Sequence, residues 1–109
     1  MRGGWARWCF VVTTVVAIVS YPAPRSLVAG DRALGEYLSS ECVTCHQITG
    51  KHQGIPPIIG WPEPSFIEIM NEYRLKQRSN PVMQTIAGKF SGEEIAALAT
   101  YFGGLKSKN

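Results

Sequence analysis

The chain has 109 residues, with 11 Lys and Arg against 8 Asp and Glu and a formal charge of +3. That length allows one small domain, and so weak a charge gives no electrostatic ground for binding nucleic acid or an anionic membrane. Arg2, Arg7 and Arg25 all lie in the first 29 residues, and the remainder carries eight basic residues against eight acidic ones.

Residues 1–29 read as a secretory signal peptide. Arg2 and Arg7 give a positive start, and Cys9 through Val19 form an apolar run. The run is shorter than the ~20 residues that span a bilayer, and its length fits the core of a signal peptide. Cleavage after Ala29, or after Gly30, would leave a domain over residues 30–109 and discard Cys9 with the leader. A buried strand and a short retained anchor are the competing readings. A domain of about 80 residues buries little surface and usually needs a staple.

From Asp31 to about Cys45 the pattern predicts a helix. Asp31 can cap it, and Ala33, Leu34, Tyr37, Leu38 and Cys42 recur on one face at three- and four-residue spacing. The helix runs into Cys42-Val43-Thr44-Cys45-His46. C-x-x-C-H is the attachment signature of a c-type haem. Two thiols one helical turn apart add across the porphyrin vinyl groups, and the histidine after the second thiol meets the iron axially. A thioredoxin-type dithiol would need a βαβ pattern, and none is visible. A zinc site drawing on Cys42, Cys45 and His46 or His52 lacks a second ligand pair. One covalent haem per chain is therefore expected, held by Cys42 and Cys45, with His46 as an iron ligand. The haem is also the expected staple.

Residues 47–64 carry Gly50, Gly54, Pro56, Pro57, Gly60, Pro62 and Pro64, a density that predicts a long structured loop. Wrapping a cofactor edge would account for its length. A metal-bound histidine usually donates its other ring N–H to a carbonyl or carboxylate. The Pro56 carbonyl is the candidate, with Ile58 pressing on the haem ring. Trp61 and Arg78 are candidates to reach a propionate.

Ser65 with Glu68 reads as a capping box opening a second helix, with Phe66, Ile69, Met70 and Tyr73 as its apolar stripe. Arg74, Lys76 and Arg78 sit near its expected end, and Asn80-Pro81 should stop it. A short turn from Met83 to Ala87 follows. Ser91 with Glu94 makes another capping box, opening a helix to about Phe102, with Ile95, Leu98, Ala99 and Phe102 on its buried face. Gly103-Gly104 ends it. The expected fold class is all-α, with three to four helices around one haem.

The second axial ligand decides the chemistry. Met70 sits mid-helix, where methionine ordinarily fills a core. Met83 lies on an irregular segment able to reach the distal face and is the predicted ligand; core packing is its ordinary alternative. His/Met ligation saturates the iron and raises its reduction potential. His52 follows the haem motif too closely to reach the far face easily.

These segments together resemble class I cytochromes c. The residues that carry the likeness are Cys42-Val43-Thr44-Cys45-His46, Gly54-Ile55-Pro56-Pro57-Ile58-Ile59-Gly60, Arg78-Ser79-Asn80-Pro81-Val82-Met83 and the stretch 91–102. The Asn-Pro-Val-Met segment and the Leu-Ala-x-Tyr-Phe helix are similar to the cytochrome c553 group. Its relatives include single halves of cytochrome c4 and the cytochrome subunit of flavocytochrome c sulfide dehydrogenase. The chain departs from those relatives in having a single C-x-x-C-H, which excludes a dihaem form, and Gln47 where many have glycine.

The resemblance implies a crossing of the first and last helices, with Gly35 admitting Tyr101 or Phe102 to its backbone. It also implies a periplasmic, exported protein that transfers single electrons. The partner would be another redox protein, with a flavoprotein sulfide dehydrogenase subunit as the named candidate. No nucleic acid and no membrane span after signal cleavage are expected. A free diffusible carrier is the alternative, and a haem enzyme or gas sensor with an open sixth site the more distant one. No catalytic residue is assigned, since no activated nucleophile or carboxylate pair can be read.

Overall fold

The computed structural model describes residues 3, 14–21 and 30–107. Most of the predicted signal peptide, residues 1–29, lies outside the described residues, and 14–21 form no regular element. The described residues form five helices: α1 (Arg32–Leu38), α2 (Ser40–Val43), α3 (Glu63–Arg74), α4 (Pro81–Ala87) and α5 (Gly92–Gly103). Among the described residues there is no strand, in keeping with the all-α expectation.

Asp31 caps α1 as expected, its carboxylate accepting from the amides of Ala33 at 2.9 Å and Leu34 at 3.2 Å. The single helix predicted to Cys45 is divided at Ser39, which is buried and donates its hydroxyl to the Glu36 carbonyl at 2.6 Å. The buried face is the predicted one only in part. Cys42 is buried and Leu38 half-buried as expected, but Leu34 and Tyr37 are exposed, and Gly35 and Ser39 are buried in their stead. The reason is the crossing with α5, the most extensive contact between helices. A Cβ on Gly35 would overlap the Ala97 carbonyl and lie 2.8 Å from Tyr101 Cβ, so small residues must face α5 and the bulky ones turn outward.

α3 begins at Glu63, two residues before the predicted start, so Ser65 lies inside the helix and caps nothing. Pro62 is its N-cap, and a proline in the first turn forfeits no helical bond. Its end is also earlier than expected. Arg74 is the only basic residue of the last turn, and Lys76 and Arg78 lie beyond it. The chain leaves α3 through a Schellman turn: the Gln77 amide donates to the Glu72 carbonyl at 2.8 Å and the Lys76 amide to the Tyr73 carbonyl at 3.0 Å. Lys76, at φ 58°, takes the left-handed position that glycine usually fills.

Asn80-Pro81 was predicted to stop a helix and instead starts one. The Asn80 carboxamide accepts from the Met83 amide at 3.1 Å, and Pro81 opens α4. The predicted turn at Met83–Ala87 is thus helical. The Ser91–Glu94 capping box of α5 is present in both directions.

The core gathers on α5. Phe102, Ile95 and Leu98 are its largest fully buried side chains. Phe102 stacks with Phe66 of α3 at 5.9 Å between ring centroids and meets Tyr101 edge-on at 5.2 Å. The Gly60 amide donates to the Phe102 carbonyl at 2.8 Å, and the Thr100 hydroxyl donates to Glu63 at 3.0 Å. These ties hang the 47–62 loop and the start of α3 on one rigid helix, which leaves their other sides to frame a cavity.

Candidate functional site

An apolar cavity of about 450 Å³ lies between the end of α2, the long loop, α3 and α4. Cys42, Cys45 and His46 reach it from the turn that ends α2, where the His46 amide donates to the Cys42 carbonyl at 2.8 Å. That helical hydrogen bond sets the three side chains on successive steps of one turn, all bordering the same space.

His46 is oriented by the loop. Its Nδ1 lies 2.6 Å from the Pro56 carbonyl oxygen. A carbonyl only accepts, so Nδ1 carries the proton and Nε2 keeps its lone pair for a metal. Pro56 and Pro57 stiffen the backbone that presents this carbonyl. Ile58 is buried and lines the cavity from the same loop.

The two thiols differ. Cys42 is buried, and burial first, with the neighbouring Glu41 charge second, pushes its thiol up to about 11. Cys45 is exposed. A thiol held neutral on an apolar wall is poorly suited to redox exchange, which requires a thiolate.

Met70 and Met83 both border the cavity, Met70 from α3 and Met83 from the first turn of α4. Met70 is buried and joins the core around Phe66 and Phe102, while Met83 is half-buried. Trp61 and Arg78 also border it, and the Arg78 guanidinium is engaged by Glu72 at 3.0 Å and lies 5.5 Å from the Tyr73 ring centroid. His52 is exposed and is not part of the wall. Among the described residues no group of three or more His, Cys, Asp or Glu side chains is gathered as a structural metal site would need.

The stripe of Phe66, Ile69, Met70 and Tyr73, read from the sequence as helix core, forms much of the cavity wall. Ile86 was missed, because its segment was taken for a turn; a helix opened by Asn80-Pro81 would have put it one turn after Met83. Two thiols, a preset imidazole and a thioether around a wide apolar space form a donor set that fits a large, flat, apolar macrocycle with a metal at its centre.

No family model matches the chain. Over 76 residues it is 37% identical to the cytochrome subunit of sulfide dehydrogenase of Chlorobaculum tepidum (strain ATCC 49652 / DSM 12025 / NBRC 103806 / TLS), an alignment covering 69% of each chain.

Proposed function

Given that the chain belongs to the family of the cytochrome subunit of sulfide dehydrogenase, we propose that it is an electron-transfer subunit carrying one covalent haem c. Cys42 and Cys45 form the thioethers, and His46 and Met83 are the axial ligands. The Pro56 carbonyl holds the imidazole in the tautomer that leaves Nε2 free, and Ile58 packs on the ring. Residues 1–29 are a signal peptide that sends the 30–109 domain to the periplasm. The partner is a flavoprotein subunit that oxidises sulfide, as the name of the relative suggests. Among the described residues no helix is long and apolar enough to cross a membrane.

When bound, the haem supplies an iron that gains or loses a single electron without a bond being made or broken. The protein's own residues exclude water from it, fix its plane and set its potential. Two protein ligands leave the iron no open position for a substrate, so the chain conducts and its partner catalyses.

One observation carries this reading: the C-x-x-C-H thiols and a tautomer-fixed imidazole line one apolar cavity. The test is to purify the exported protein and extract it with acidified organic solvent. The haem should stay with the polypeptide at one per chain, and the ferric protein should be reduced by sulfide only when the flavoprotein is present. Haem that partitions into the solvent would overturn covalent attachment, and direct reduction by sulfide alone would overturn the division of labour.

A further inference from the structure

We infer that Glu72, Arg78 and Gln84 form a brace that positions Met83, and that its purpose is to keep the sixth ligand on the iron. The inference rests on the proposed role of Met83 as that ligand.

The six residues 75–80 that join α3 to α4 are all exposed, so burial does little to fix their path. What fixes them converges on Glu72. Its backbone carbonyl accepts from the amides of Gln77 at 2.8 Å and Arg78 at 3.3 Å. Its carboxylate accepts from Arg78 Nη1 at 3.0 Å, and the guanidinium lies over Tyr73, one residue further along α3. From the α4 side, the Gln84 carboxamide donates to the Arg78 carbonyl at 3.0 Å. Arg78 is therefore clamped to α3 by its side chain and to α4 by its backbone. Gln84 directly follows Met83, and the Met83 amide is itself capped by Asn80 at 3.1 Å.

Met83 is in the first turn of a seven-residue helix, and a helix so short has little stability of its own. Its placement must come from what ties that helix to the body of the protein. An exposed ion pair contributes little to global stability. A pair that ties a loop residue to α3, while that residue's carbonyl is tied to α4, nevertheless restricts how far the loop can swing. The swing in question is the one that would carry a thioether away from a metal. The brace thus acts through Met83 and is a positioning device.

Competition by a small exogenous ligand reads this directly. Imidazole is titrated into the ferric holoprotein, and displacement of Met83 is followed by loss of the weak charge-transfer band of an Fe–S(Met) bond. Glu72→Gln, Arg78→Gln and Arg78→Lys should each bind imidazole about two- to five-fold more tightly than wild type, in line with one exposed ion pair. Arg78→Lys belongs in that group because it keeps the charge and loses the planar fork. Arg74→Gln removes a nearby exposed cation outside the brace and should match wild type. Equal imidazole affinity for wild type, Glu72→Gln and Arg78→Gln would overturn the brace while leaving Met83 as ligand. An effect of Arg74→Gln as large as that of Arg78→Gln would overturn it too, reducing the effect to charge. A wild-type protein lacking the band would remove the ligand assignment and the brace together.

Discussion

Met70 and Met83 border the same cavity but are held by different means. Met70 sits in the middle of a twelve-residue helix as part of the buried core, and Met83 in a short helix set by a cap and a brace. Replacing each by alanine should therefore have different consequences. Met83→Ala should abolish the Fe–S(Met) band of the ferric protein, let the ferrous protein bind carbon monoxide, and lower the potential, because a thioether favours the reduced iron. Met70→Ala should keep the band and lose about 2–5 kcal/mol of stability, as core truncations do. The spectrum and a denaturant titration of both variants check the pair, and the reverse result would exchange the roles. At this scale the sequence was informative where backbone chemistry is rigid. The contact between His46 and the Pro56 carbonyl was legible because prolines leave few ways to lay that loop. Ile86 was not, since no residue type announces that it borders a cavity rather than a core.

Helix boundaries went astray in one consistent way. Pro62-Glu63-Pro64 and Asn80-Pro81 were both read as breakers, and both begin helices, because the first turn has amides without partners and proline gives up nothing there. The end of α3 was missed because Lys76 stands where a Schellman turn usually advertises itself with glycine. The capping box of α5 was readable because its two hydrogen bonds are local to four residues. The crossing of α1 and α5 makes a prediction of its own. Alanine for glycine on an open helix surface stabilises by up to ~1 kcal/mol. At Gly35 the new methyl would meet the Ala97 carbonyl, a backbone atom that cannot step aside. Gly35→Ala should therefore destabilise the holoprotein by about 1–3 kcal/mol, as overpacking does. Gly92 has nothing within 4 Å of such a methyl, and Gly92→Ala should be neutral or mildly stabilising. Urea midpoints of the two variants decide it, and equal midpoints would mean the helices can part without penalty.

For the molecule as a whole, the cavity outweighs the core built around it. Among the described residues only Phe102, Ile95 and Leu98 are large and fully buried. Without a group to fill it, about 450 Å³ of apolar space would stand open to solvent, a heavy burden on a small domain whose total stability is modest. A Cys42→Ser, Cys45→Ser variant that cannot retain haem should be largely unfolded, with low helix content by circular dichroism and no cooperative melt. Native-like helicity in that variant would show that the polypeptide core suffices. The α1–α5 crossing also orders events in time. Gly35 waits for a surface that lies about 60 residues further along the chain, and without haem the folded state that brings the two together is not expected to persist. The thiols of Cys42 and Cys45 therefore stay within reach until the proposed haem is joined, and the crossing then shuts the domain behind it: attachment comes first, and closure follows.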